Sequence, residues 1–239
     1  MAGKLRLATL ALVGLLPSAV ARVCYRSFFG YKIGKRVRIG FSIIDALECS
    51  IDDDVSIGHL NIFTRIEKLS IGDHSRIGVL NVFRGGKEIS IGRYCDILRL
   101  NEINSIPEPD VVNEIDPRFI LGNGSMIAAS HKIDFTDRVE FGKCVILGGR
   151  NSSLWTHNRQ MTKPIEVGDY SYLGSEIRMA PGTVIPAKCI VGMGSVVTKA
   201  FAKEYQLIGG VPAAELRELN EDGKFLTEKK TRDDLPDEI

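Results

Sequence analysis

The sequence predicts an all-β chain, a parallel β-solenoid whose coils stack along one axis, and three observations predict it. Between residues 165 and 199 an apolar residue recurs every six positions, at Val167, Leu173, Met179, Ile185, Val191 and Val197. Glycine directly follows three of them, and a mostly small residue stands four places after each beat, as at Ser171, Thr183 and Ser195. Finally, Ile33-Gly34 and Ile39-Gly40 return eighteen residues later at Ile51 and Ile57-Gly58. No helix keeps this beat, because six does not follow a 3.6-residue stripe and Gly168, Pro181, Gly182 and Pro186 would interrupt it. A short strand followed by a tight corner does. Three such units close one triangular coil of about eighteen residues, and coils about 4.8 Å apart bond backbone to backbone with the apolar positions inside.

Ahead of the coils, residues 7–21 form an uncharged apolar run interrupted by Gly14 and Pro17 and flanked by positive charge. The run is shorter than the roughly 20 residues a membrane span requires. A basic start followed by an apolar run also fits a secretory leader, but no disulfide framework follows it. Two readings of the 1–32 segment stay open: a helix lying in a membrane surface beside Arg22, Arg26 and Phe28, or a cap on the first coil or on a partner subunit. Residues 1–40 contain eight Lys and Arg and no acid, which invites an anionic partner such as a membrane surface touching residues 1–38.

The coils then lengthen. Ile71-Gly72 and Ile91-Gly92 follow at intervals of twenty, as do Leu60-Asn61, Leu80-Asn81 and Leu100-Asn101. Each added pair of residues is expected at one corner, and the asparagines are expected to stack as a structural column of amides. Between Asn101 and Phe119 the beat lapses around Pro107, Pro109 and Pro117. It resumes at Leu121-Gly122 and Phe141-Gly142, and the next interval, to Val167, is twenty-six. The surplus falls in a loop at 150–164 that holds the single tryptophan and His157.

Composition narrows the class. A chain of 239 residues with 44% hydrophobic content buries a substantial core, and its formal charge of +1 argues against nucleic-acid binding. Five scattered cysteines without a C-x-x-C pair read as reduced, mostly buried thiols in a cytoplasmic protein. No clustered His/Cys spacing appears, so no metal site is expected.

The beat [LIV]-G-x-x-[small]-x, followed by Val196-Val197-Thr198-Lys199 and Gly209-Gly210-Val211-Pro212-Ala213, resembles the hexapeptide repeat and closing signature of the left-handed parallel β-helix acyltransferases. It is similar in particular to the sugar O-acetyltransferases of that family. The resemblance supplies the left hand of the coil, since parallel crossovers are otherwise right-handed in about 98% of cases. It implies a catalytic β-helix over 33–199, a closing segment and acidic tail over 200–239, a homotrimer, and acetyl-CoA as acyl donor. The gamma-type carbonic anhydrases, which carry a metal on this fold, are poorly matched.

In that family a Thr-His pair at the place of Thr156-His157 supplies the catalytic base. The chemistry suits imidazole, because a hydroxyl must lose its proton while attacking a thioester and neutral histidine accepts protons near neutral pH. His131 follows Ile127 at the offset of a small inward residue, where its ring would be oversized for the core. It is therefore expected to turn toward the cleft and orient the acceptor or the base, with Asp134 and Arg150 flanking. The resemblance further implies coenzyme contacts at Gly174, Ser175, Gly192, Met193, Thr198 and Lys199, and approximately at Arg217. Lysine there supplies a point charge for phosphate. The expected function is transfer of acetyl from acetyl-CoA to a hydroxyl of a sugar or glycan precursor, lipid-linked sugars included. The alternative is a non-catalytic β-helix scaffold at a membrane surface, which needs neither His157 nor Lys199.

Overall fold

A computed structural model describes residues 2–111 and 113–236. Each coil passes through three faces, as in Val139–Phe141, Ile146–Arg150 and Ser153–Trp155. We call these the first, second and third faces. The second face is a ten-stranded sheet of its own, while Ile43–Ile51 and Ile62–Ile71 bend around a corner and join the other two faces into one fourteen-stranded sheet. Pairing between coils is parallel throughout, and inward positions meet in register, for example Ile39 with Ile57 and Leu147 with Leu173. Nine parallel strands on the second face make a solenoid of about nine turns.

Coil contact is close enough to dictate residue type. A Cβ on Gly58 would lie 2.2 Å from the Gly78 carbonyl oxygen, so the corner is glycine because the next coil occupies the space. The two residues that lengthen the coil after Ile51 do not share a corner, as the repeat suggested. Ile43 pairs with Ile62 and Ala46 with Ile66, so one insertion precedes the third face and one follows it, taken up at Leu60 and Arg65 with φ of 61° and 56°.

The expected polar column is present, and it is longer than expected. Asn81 Nδ2 donates to Asn61 Oδ1 and Asn101 Nδ2 to Asn81 Oδ1, each at 3.0 Å. The next rung is His131, whose backbone N–H donates to Asn101 Oδ1 at 2.9 Å and whose Nδ1 accepts the Ser152 N–H at 3.1 Å. The ring is 0% exposed, and Nε2 has no partner among the described residues. The expectation that His131 lines a cleft is therefore corrected: the ring continues an amide ladder inside the solenoid, and its size is accommodated because it replaces an asparagine.

Two helices, α1 (Ala2–Gly14) and α2 (Ser18–Phe29), close the first coil. Leu10, Val13, Ala21 and Tyr25 enter the core, Tyr25 stacks on Tyr31 with centroids 5.6 Å apart, and Arg6 pairs with Asp45 at 2.9 Å. The outward sides stay apolar, with Leu5, Leu12, Leu15 and Phe28 exposed. No helix among the described residues is long and apolar enough to cross a membrane. At the far end, Gln206–Gly210 adds a strand to the second face and turns into the antiparallel Ala213–Glu218. Then α3 (Glu221–Glu228) begins at Asn220, whose side chain accepts the Gly223 N–H. The chain runs back along the coils, where Arg232 pairs with Asp96 at 3.5 Å and donates to the His74 carbonyl at 2.9 Å. All five cysteines are free, and burial pushes the Cys95 thiol up to about 12. Asp237 and Glu238 of the acidic end lie outside the described residues.

Burial lowers the His131 pKa from 6.5 to about 4. The unfolded chain therefore binds the proton more readily than the folded one, and the folded state loses stability as pH falls from about 6.5 toward about 4. Urea titrations across this range should show that loss in the wild type. His131→Asn, which restores the ladder residue, should flatten the His131 contribution and stay folded, whereas His131→Ala should be destabilised at every pH.

Candidate functional site

The corner between the third and first faces carries both irregularities of the repeat. After Glu102–Asn104 the chain makes an excursion over 105–117 before it rejoins the first face at Arg118–Leu121. Two coils later, loop 156–164 leaves Ser153–Trp155 and returns at Ile165–Val167. Between them lies the short corner 135–138. The excursion is tied across it: the Ile106 N–H donates to Thr136 Oγ1 at 3.0 Å, the Asp116 N–H to Asp137 Oδ1 at 3.1 Å, and Asn113 Nδ2 to the Thr162 carbonyl at 3.2 Å. Beneath it, Gly86 has φ +81° and would place a Cβ 2.3 Å from Phe135, so only glycine fits that turn.

Asp134 stands at the centre of the corner. Its side chain is 6% exposed. Oδ1 accepts from the Thr136 N–H at 2.9 Å and hydroxyl at 2.6 Å, and Oδ2 accepts the His157 N–H at 3.3 Å. Burial pushes its carboxyl above the usual range, opposed by the Thr136 and His157 donors and by the His157 charge. Thr156 bonds the Asp134 carbonyl through its hydroxyl at 3.0 Å, which fixes the start of the loop.

His157 is half-buried, and its Nδ1 lies 2.7 Å from Thr162 Oγ1 across an isolated antiparallel bridge. In the tautomer whose Nδ1–H donates to that hydroxyl, Nε2 carries the lone pair and can accept a proton. Of the residues around it, sequence reasoning had Asp134 as a flanking group and missed Thr136 and Thr162. The lapse at 101–119 was the one available sign that chain had been inserted beside this corner.

The residues assigned to the coenzyme fall in three places. Thr198 and Lys199 are exposed on the His157 corner, further along the solenoid, and Lys199 Nζ sits 5.3 Å from the Phe201 ring centroid. Gly174, Ser175, Gly192 and Met193 lie on another edge, between the second and third faces. Arg217 is on the terminal hairpin, opposite Leu207, and Arg150 is on the second-to-third edge, away from His157. One protomer does not bring these groups together. Above the 192–194 corner the next strand, Gln206–Gly210, turns back into the hairpin instead of rounding the corner: a Cβ on Gly192 would meet nothing closer than 3.7 Å, Gly194 has nothing within 4 Å, and Met193 is 77% exposed. No group of three or more potential metal ligands exists among the described residues.

No protein-family model matches the chain. Among solved structures it resembles UDP-N-acetylglucosamine acyltransferase from Campylobacter jejuni, with a TM-score of 0.62 at 18% identity over 82% of this chain and 77% of that one. A second UDP-N-acetylglucosamine acyltransferase gives 0.61 at 20% identity over 80% and 71%. The polysialic acid O-acetyltransferase OatWY gives 0.55 at 16% identity over 79% and 88%. The shared feature is the fold: this chain has the β-solenoid of the hexapeptide-repeat acyltransferases.

Glycines that are squeezed between coils should behave differently from Gly192, which is not. In Gly122→Ala the added carbon would lie 2.3 Å from the Gly142 carbonyl oxygen, and denaturant melts should show a loss of about 1–3 kcal/mol. Gly192→Ala has room and should change stability by less than about 0.5 kcal/mol.

Proposed function

We propose that this chain is an acyl-CoA-dependent O-acyltransferase that moves acetyl from acetyl-CoA to a hydroxyl of a sugar or glycan precursor, with His157 as general base. The observation that carries the reading is the His157 corner itself, where two chain insertions meet, a buried carboxylate accepts the His157 backbone N–H, and a threonine hydroxyl engages the imidazole Nδ1 while Nε2 has no hydrogen bond among the described residues. His157 Nε2 takes the proton from the acceptor hydroxyl as its oxygen attacks the thioester carbonyl. Backbone N–H groups steady the tetrahedral oxyanion, the thiolate leaves, and the imidazolium returns the proton to it. Thr198 and Lys199 are proposed to meet the adenosine phosphates. The exposed 192–194 corner and Ser175 are proposed to meet the pantetheine arm, with Arg217 near the phosphate end. The room at Gly192 supports this, since coil stacking does not account for a glycine there.

Separation of the two residue sets supports a homotrimer whose axis runs parallel to the solenoid. In it, the 174–193 edge of one protomer faces the partner's His157. Exposed apolar side chains on α1 and α2, together with the basic, acid-free composition of residues 1–40, support a peripheral position on anionic lipid at the cytoplasmic face of a membrane. The scaffold alternative uses that apolar end equally well but leaves the His157 corner without a purpose.

His157→Ala should lower thiol release from acetyl-CoA in the presence of acceptor by 10²–10⁴-fold at nearly unchanged Tm. Turnover near wild type would remove His157 from the mechanism. Lys199→Ala should weaken acetyl-CoA binding, and added salt should weaken the wild type in the same direction. Because the helices also cover the core, the membrane reading is tested by substitution rather than deletion: Leu12→Ser with Leu15→Ser and Phe28→Ser should stay folded yet lose sedimentation with anionic vesicles, and a wild type that ignores such vesicles at low salt contradicts it.

A further inference from the structure

We propose that the groove beneath the 105–117 excursion binds an anionic oligosaccharide, a deepening of the acyltransferase reading that names its acceptor class. Four residues share one register position on successive coils of the third face: Arg84 pairs with Asn104, Asn104 with Asp134, and Asp134 with Trp155. Three coil steps of about 4.8 Å separate the ends of this column by about 14 Å, longer than a single pyranose ring. All four line one cavity of about 290 Å³, walled by excursion residues 105–107. A second cavity, of about 450 Å³, continues on the other side of the same wall and again contains Arg84.

The two ends of the groove differ in chemistry. At the first end Arg65, Arg84 and Lys87 outnumber Glu67 and Glu108. Neither Arg65 nor Arg84 has an ion pair or side-chain hydrogen bond among the described residues, so both exposed guanidiniums at this end of the groove are open to a ligand. A guanidinium with five free donors matches a carboxylate or phosphate in a two-pronged fashion. At the other end stand Asp134, which also receives the His157 N–H, and Trp155, which is 45% exposed. An indole face takes the apolar C–H side of a sugar ring while a carboxylate accepts from its hydroxyls. Orientation follows: the anionic group sits at Arg65 and Arg84, and the sugar one or two residues along the chain sits at Trp155 beside His157.

Trp155 is the only tryptophan, so its emission reports directly on the groove. Protein without coenzyme would be titrated with trigalacturonate, maltotriose 1-phosphate, neutral maltotriose and inorganic phosphate. Saturable emission changes are expected with one or both anionic trisaccharides, and which of them binds tells carboxylate from phosphate. Maltotriose and phosphate alone should bind at least about tenfold more weakly, the size expected from losing one charge-assisted contact. Arg84→Gln and Arg65→Gln, both at exposed side chains, should weaken the anionic trisaccharide by about tenfold while Tm holds. The proposal is overturned if neither anionic trisaccharide perturbs Trp155, if both substitutions leave binding unchanged, or if phosphate alone binds as tightly as the trisaccharides. No turnover enters this measurement, so an inactive enzyme that still binds would contradict only the acyltransferase reading.

Discussion

Everything in this structure depends on the hydrogen bonds between one coil's backbone and the next. The Gly34 N–H donates to the Ile51 carbonyl and the Gly58 N–H to that of Ile77, both at 2.7 Å, and comparable bonds recur along the stack. A strand that slipped by one residue would turn its apolar side outward, so a change of length is confined to the corners or to the end of a face, as in the one-residue shift between Leu147 and Arg150. That constraint explains why insertions appear as left-handed corner residues such as Leu60 and Arg65 and as two longer detours, and why inward serines such as Ser75 and Ser125 donate to the backbone of the next coil.

The same constraint concentrates chemistry at one edge. An excursion and a loop, two coils apart on the same corner, fold toward each other over the short corner between them. Their mutual hydrogen bonds pass through Thr136, Asp137 and Thr162, and they enclose the buried carboxylate of Asp134. A carboxylate held out of water needs donors, and it receives them from Thr136 and from the backbone of His157. Desolvation of one residue thereby sets the position of its neighbour. Flat, regular coils on either side supply rigidity, so the His157 imidazole belongs to a loop whose two ends are anchored in sheet.

Much of this was legible in the sequence because the hexad beat reports the coil directly. Inward isoleucines and valines fall where the beat puts them, and the asparagine column follows from its interval of twenty. His131 was misread for a physical reason. The coil between Asn101 and His131 is thirty residues long, so the excursion hid the fact that His131 stands one rung above Asn101. Counting from the preceding beat made the ring look oversized, whereas counting along the column makes it a substitute for an amide. The N-terminal segment was ambiguous because α1 is apolar on both sides: Leu10 and Val13 are buried and Leu5 and Leu12 exposed, and no periodicity separates the two sets. Contacts such as Asn113 with Thr162 join residues about fifty apart through an irregular loop, where no repeat could reveal them.

The central claim is that acyl transfer occurs where the His157 corner of one protomer meets the 174–193 edge of another. A crystal structure of the full chain soaked with acetyl-CoA tests this most directly. The account predicts a three-fold assembly with the pantetheine arm lying along Ser175 and the 192–194 backbone, and with the thioester carbon within reach of the partner's His157 Nε2. Coenzyme bound far from every His157 corner, or a protomer that binds it fully without a neighbour, would contradict it.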